Sequence, residues 1–210
     1  REREDGDGDR GQDELAQVIP VVKGLVHRVS VPISIDTTKS RVAEVALDCG
    51  ASIINDVSAL RQDPAMASVI ARFDAAVVLM HMQGTPQTMQ QSPQYSDVVG
   101  EVVRFLEGRV QMALRAGIAG TNIVLDPGFG FGKLVNHNLD LLDGLSAIAA
   151  LNRPVLVGLS RKAFIGNVVE RPVEHREWGT AAAVALAVDR GAHILRVHDV
   201  AMMIDVVKMA

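Results

Sequence analysis

Acidic, amide and cationic residues stand at the ends of short apolar runs along this chain. Asp36 follows Ile33-Ser34-Ile35, Asn55 and Asp56 follow Ile53-Ile54, and His81 follows Leu79-Met80. Asp126 follows Ile123-Val124-Leu125. Ser160, Arg161 and Lys162 close the run 155–159, and Arg196, His198 and Asp199 come after Ile194-Leu195. Arg161, Lys162 and Arg196, with His198, form a cationic set suited to an anionic substrate of phosphate or diphosphate type. Asp36, Asn55 and Asp126 add acceptors and an amide, which can read the donor-rich edge of a heterocycle. A strand-terminal Asp or Asn taken alone serves as readily to cap a helix or form a turn, and Asp56 and Asp199 are read that way. Repetition at six successive run ends is what points to a site.

The segment DPGFGFGK (126–133) is the most distinctive local feature. It is not a nucleotide P-loop: three residues rather than four separate Gly128 from Gly132, and Leu134 follows Lys133 where Ser or Thr is needed. Its alternating glycines let the backbone approach a ligand or another loop closely. They are expected to display Phe129 and Phe131 where a flat ring could stack. There is no G-x-S-x-G elbow and no Ser-His-Asp order. No His/Cys cluster has zinc spacing, and His27, His137, His175 and His193 are scattered. Met80 and Met82 flank His81, where packing or a pliable pocket wall are both open.

The elements that must hold these groups alternate. Strand-like runs occur at 32–37, 52–57, 75–82, 122–128, 154–160 and 193–199. Helical patterns occupy 12–28, 39–48, 63–72, 97–116, 138–151, 174–190 and 201–209, with Pro20 expected to kink the first or shift its start. Near-continuous apolar strands alternating with helices imply βαβ units around a buried parallel sheet. Functional groups in such folds lie at the carboxyl ends of the strands.

Composition agrees with this reading. Aromatic residues are only 3% of the 210, so the core must come from aliphatic residues, Ala and Met. A net charge of −4 gives no electrostatic case for nucleic acid or a membrane surface. The longest apolar run, 181–188, is far short of a membrane span. Cys49 is the only cysteine, so a cytoplasmic setting is expected. Residues 1–11 are so charged and glycine-rich that they read as a disordered or loop segment ahead of one domain, 12–210.

Together, SIDTTKSRVAE (34–44), GASIINDVSAL (50–60), VLMHMQGTPQTMQ (78–90), LDPGFGFGK (125–133), VGLSRKAFIG (157–166) and GAHILRVHDV (191–200) resemble the dihydropteroate synthase group of the pterin-binding barrel family. The resemblance implies an α/β TIM-type (β/α)8 barrel. It implies a folate-pathway transferase that condenses 6-hydroxymethyl-7,8-dihydropterin diphosphate with 4-aminobenzoate, giving 7,8-dihydropteroate and diphosphate, with Mg2+ as cofactor. By motif, Asp36, Asn55, Met80, Asp126, Gly158 and Lys162 would bind the pterin. Asn55, Arg196 and His198 would hold the diphosphate, and Phe131, Ser160, Arg161 and Lys162 would form the aminobenzoate side, where sulfonamides compete. Asp126, Lys162, Arg196 and His198 would carry catalysis. A homodimer through the later helices is also implied.

A complete family member begins with two further strands, whose loops include a metal-binding Asn and a stretch closing over aminobenzoate. Neither has a counterpart here, so no metal ligand is assigned, the six strands are expected to be the third to eighth of the barrel, and activity is expected to be impaired. Two other readings stand beside this one. One is a non-catalytic pterin-binding homologue. The other is a barrel like the methyltetrahydrofolate:corrinoid methyltransferases, which share the pterin acceptors but need no cations for a diphosphate.

Overall fold

A computed structural model describes residues 5–210. The chain forms two compact units. The first comprises the chain up to Leu79 together with Arg109–Ile123, and the second comprises Met80–Gly108 together with Val124–Ala210.

In the first unit, helix α1 (Asp5–Leu25) precedes β1 (Ser34–Asp36), α2 (Ser40–Asp48), β2 (Ile53–Asp56), α3 (Met66–Phe73) and β3 (Ala76–Met80). The strands pair in parallel, with Asp36 opposite Asn55 and Asn55 opposite Val78. Helix α1 packs on α2, and α2 on α3. Val42, Ala43, Ala46, Ile54, Ile70 and Val77 are completely buried between these helices and strands, as the near-continuous apolar runs require.

The charged opening segment differs from expectation. Residues 1–4 lie outside the described residues, but 5–11 are helical, and α1 runs on through Pro20.

In the second unit, the first part of α4 (Val98–Arg115) is followed by β4 (Ile123–Asp126), α5 (Val135–Asp143), α6 (Leu145–Ala149), β5 (Leu156–Val157), α7 (Ala163–Val169), α8 (Glu177–Asp189), β6 (Ile194–Leu195) and α9 (Val200–Met209). β5 and β6 pair in parallel, and a parallel bridge from Leu125 to Val155 sets β4 beside β5. The His81 N–H donates to the Asp126 carbonyl at 2.9 Å, fixing the start of the 81–97 loop against the end of β4.

One expected helix, 138–151, is two helices divided at Gly144. Val99 of α4 approaches so closely that a Cβ on Gly144 would lie 2.7 Å from its Cγ2. Helix α7 has no counterpart in the sequence reading. It is only seven residues long, and Gly166 interrupts its pattern where the Arg176 side chain crosses the backbone.

Candidate functional site

The second unit gathers most of the predicted site around β4, β5 and β6. Asp126 ends β4 and is buried. Its Oδ1 accepts the Gly128 N–H at 2.7 Å. Burial pushes the Asp126 pKa above the ordinary carboxylate value, opposed by the Gly128 N–H and by the charges of Arg196, Lys133 and Lys162.

Lys162 is the residue from which α7 starts. Its Nζ lies 4.3 Å from the centre of the Phe131 ring, within cation–π range. Burial lowers its pKa, the Asp126 charge raises it, and Arg196 lowers it. Gly130 leaves room for this lysine: a Cβ there would lie 3.1 Å from Lys162 Cδ.

Gly158 does the same for Arg196, whose Nε would be 3.4 Å from such a Cβ. Ser160 Oγ and His198 Nδ1 are 2.8 Å apart, and the His198 N–H donates to Ser160 Oγ at 3.2 Å, joining the two strand ends. Asp126, Phe131, Gly158, Ser160, Lys162, Arg196 and His198 are thus held by neighbouring strand ends and the glycine-rich loop. Met80, the last residue of β3, is buried beside Gly128, whose Cβ would lie 3.4 Å from Met80 Cγ.

Arg161 is oriented differently from its neighbour. Its Nη2 pairs with the Asp199 carboxylate at 2.8 and 3.1 Å, and its carbonyl accepts Arg176 Nη1 at 3.0 Å. Asp199 stands before α9 as expected but makes no side-chain cap bond; its carboxylate pairs with Arg161 instead. Asp56 is the turn former the sequence suggested, its two carboxylate oxygens accepting the Ser58 and Leu60 N–H groups at 2.8 Å each. That turn carries Ala59 and Leu60 in the left-handed region, with φ of 52° and 63°. Arg109 holds it, donating to the Ala59 and Leu60 carbonyls at 2.7 and 3.2 Å.

In the first unit, Asp36 and Asn55 are partners in the β1–β2 register. The Thr37 N–H donates to the Asn55 carbonyl at 3.2 Å. Asn55 is buried, yet neither its amide oxygen nor its amide nitrogen has a hydrogen-bond partner among the described residues. Native structures rarely leave such groups unsatisfied, which makes this amide a candidate contact for a bound ligand or water.

The glycine-rich loop departs from expectation in one respect. Gly128, Gly130 and Gly132 have φ of 70°, 78° and 59°, which suits the close approach anticipated for them. Phe131 faces Lys162, but Phe129 is buried and stacks near Phe164 at 6.2 Å, so it belongs to the core rather than to a displayed pair. Simple alternation would put these two rings, two residues apart, on one face; Gly130 between them, with φ of 78°, breaks it and sends one ring inward and one outward.

The sequence reading missed Lys133. This lysine is buried, and its Nζ lies 3.0 Å from His81 Nδ1, 3.0 Å from the Gly128 carbonyl and 3.1 Å from the Phe131 carbonyl. Burial drives its pKa down to about 7, countered by Asp126 and reinforced by Lys162. Tyr95, Gln90 and Asn138 were missed as well. The Tyr95 hydroxyl donates to the Gly132 carbonyl at 2.8 Å, Gln90 Nε2 to the Gly130 carbonyl at 2.7 Å, and Asn138 Oδ1 accepts the Gly130 N–H at 2.8 Å. Burial and the nearby Glu101 raise the Tyr95 pKa to about 12, so it remains a donor.

Among the described residues, no three His, Cys, Asp or Glu side chains gather where they could hold a metal ion. They do not fit a dedicated magnesium cage.

A parallel α/β chain with a buried acid beside cations at its strand ends is built to bind a small polar molecule. The chain belongs to the pterin binding enzyme family, whose model matches residues 4–198. It is 42% identical over 200 residues to the dihydropteroate synthase of Synechocystis, covering 95% of this chain and 69% of that protein. Among solved structures it is similar to the dihydropteroate synthase of Xanthomonas albilineans in complex with 7,8-dihydropteroate, at 45% identity and a TM-score of 0.88, covering 94% of this chain and 72% of the other. The same enzyme solved with 4-aminobenzoic acid matches with 46% identity, a TM-score of 0.88, and 94% and 70% coverage. A Yersinia pestis dihydropteroate synthase in a sulfonamide drug complex matches with 39% identity, a TM-score of 0.91, and 94% and 72% coverage. The fold class is accordingly that of these TIM-barrel enzymes. These relatives lend no support to the non-catalytic or corrinoid-methyltransferase readings.

Proposed function

We propose that this chain is a dihydropteroate synthase, joining the methylene carbon of 6-hydroxymethyl-7,8-dihydropterin diphosphate to the amine of 4-aminobenzoate. The C–O bond to diphosphate breaks, the C–N bond forms, and the amine gives up a proton. The observation that carries this is the Asp126–Lys162–Arg196 cluster in a chain 45–46% identical to a synthase solved with 7,8-dihydropteroate and with 4-aminobenzoic acid.

In this reading Asp126 faces the pterin ring, where its buried carboxylate stabilises positive charge as diphosphate departs. Its raised pKa makes it a good acceptor for ring N–H groups. Lys162 supplies a second ring contact and, with Phe131, a wall of the aminobenzoate side. Arg196 and His198 stabilise the departing diphosphate, with His198 fixed by Ser160. Met80 and Gly158 line the pocket, and Gly158 is small enough for the Arg196 side chain to cross it. Arg161 borders the aminobenzoate side through its link to Asp199. For Asp36 and Asn55, pterin reading is supported by their pairing in register and by the unpartnered Asn55 amide.

Magnesium enters the proposal as a companion of the diphosphate, since Mg2+ commonly binds through substrate phosphates with few protein ligands. Sulfonamides are proposed to compete at the Phe131–Lys162 wall. A homodimer is proposed through α5, α7 and α8, where Leu139, Val168, Val169 and Leu186 line one exposed apolar groove. No helix among the described residues is long and apolar enough to cross a membrane. A cytoplasmic setting completes the proposal, supported by the lone Cys49.

The test is release of diphosphate from the pterin substrate, with and without 4-aminobenzoate. Aminobenzoate-dependent release that Asp126→Asn abolishes is expected. Absence of release from the native chain, or full release by the variant, overturns the reading.

A further inference from the structure

The glycine-rich loop presents no free amide cradle at its first two glycines. The Gly128 N–H is taken by Asp126 and the Gly130 N–H by Asn138. Its carbonyls are likewise held: Gly128 and Phe131 by Lys133, Gly130 by Gln90, and Gly132 by Tyr95. A loop whose polar groups are satisfied by side chains is a rigid platform rather than an anion nest. Lys133 is central to it, because one ammonium spans two carbonyls of the loop and the His81 ring.

We infer that Lys133 is a positioning residue for the aminobenzoate side: it clasps the glycine-rich loop so that the Phe131 ring is held against Lys162. This rests on the reading of Phe131 and Lys162 as the aminobenzoate wall. The geometry supports it on three counts. Nζ meets three partners between 3.0 and 3.1 Å away, donating to the Gly128 and Phe131 carbonyls and pairing with His81 Nδ1. The Phe131 carbonyl it holds belongs to the residue whose ring meets Lys162. His81, the third partner, is itself anchored, through its backbone N–H to the Asp126 carbonyl and through its ring edge-on to Phe105 at 4.9 Å.

The groups facing Lys133 are His81 from the loop after β3, Asp126 from β4 and Lys162 from the start of α7. A buried cation is costly to folding. Here the Asp126 charge and three polar partners offset that cost, and two of those partners are carbonyls of the loop itself. An apolar side chain of similar length would leave both carbonyls unpaired and the loop unclasped.

Lys133→Met keeps the length and removes all three hydrogen bonds. The expected result is a rise of about tenfold in KM for 4-aminobenzoate, with affinity for the pterin diphosphate within about twofold of the native chain and a lower melting temperature, because two loop carbonyls lose their partner. Lys133→Gln, which retains a donor, is expected to fall between the two, and it carries the same comparison if Lys133→Met does not fold. Phe131→Ala serves as the reference. If Phe131→Ala leaves the aminobenzoate KM unchanged, the reading of the aminobenzoate wall fails. If Phe131→Ala raises it while neither Lys133 variant does, or if the variants weaken both substrates equally along with stability, the positioning role is wrong.

Discussion

Replacing Gly128 by Ala is the severest single test of the site's architecture. Gly128 has φ of 70°, a conformation costing about 1–2 kcal/mol for any residue with a Cβ. The added Cβ would land on the His81 carbonyl oxygen, far inside contact distance, with the carbonyl carbon 3.1 Å away. Neither neighbour is a flexible side-chain tip, so backbone must move, and forced repacking of this kind costs about 1–3 kcal/mol. Movement also strains the 2.7 Å bond from the Gly128 N–H to the buried Asp126 carboxylate, a charged-group hydrogen bond contributing about 1.5–3 kcal/mol when intact. The sum is on the order of 3.5–8 kcal/mol, a large share of the stability of an ordinary domain. Urea unfolding followed by circular dichroism measures it, and diphosphate release measures the accompanying loss of activity. Gly108→Ala is the control: Gly108 lies inside α4, and a methyl group added there would meet nothing within 4 Å, so about 0.5–1 kcal/mol of stabilisation is expected. If Gly128→Ala stays within about 1 kcal/mol of the native chain and keeps its turnover, the close approach of the loop to His81 is not real.

Other consequences can be measured separately. Asn55→Leu replaces an unpartnered buried amide with an apolar group of like size, so apo stability should hold or rise by about 1–2 kcal/mol while pterin affinity falls; a large loss of apo stability would show that the amide is already satisfied. Lys162→Ala and Arg196→Ala should each lower kcat/KM about ten- to hundredfold, and unchanged kinetics in both would refute their placement. Lys133, with its pKa depressed to about 7 from an ordinary 10.5, makes a contribution to stability that is complete above pH 10.5 and is lost as pH falls through about 7. Unfolding free energies of the native chain relative to Lys133→Met should therefore rise between pH 7 and 10, and a flat difference would contradict the depressed pKa. Val168→Asp, in the exposed groove of α5, α7 and α8, should shift the chain to monomer in light scattering, and an unaltered mass would exclude that face as the dimer contact.

Much of this fold was legible in the residues. β3 and β4, almost wholly buried, lie within apolar runs because a strand covered on both faces needs apolar residues at nearly every position, whereas β1 and β6 are partly exposed. The polar strand ends were legible for the same reason, as abrupt departures from those runs. Boundaries governed by tertiary contact were not. The division at Gly144 depends on Val99, and the form of α7 depends on Arg176 crossing Gly166, neither of which leaves a periodic trace. Lys133 was visible in the sequence, but its role was not. The lysine folds back onto carbonyls two and five residues behind it and reaches a histidine 52 residues away. Tyr95 and Gln90 meet the same loop across 37 and 40 residues, a juxtaposition only the folded chain creates.

The Asn55 amide has a pharmacological consequence. Most hydrogen bonds between an inhibitor and a protein yield little, because the protein group must first surrender water. At Asn55 both polar atoms are buried and meet no other protein group among the described residues, so the amide has no protein partner to give up. A compound offering one donor and one acceptor at the right spacing would make both bonds without breaking any within the protein. Escape by mutation at this position would be hard, because any replacement that repels the compound also forfeits the group that the natural ligand is proposed to use.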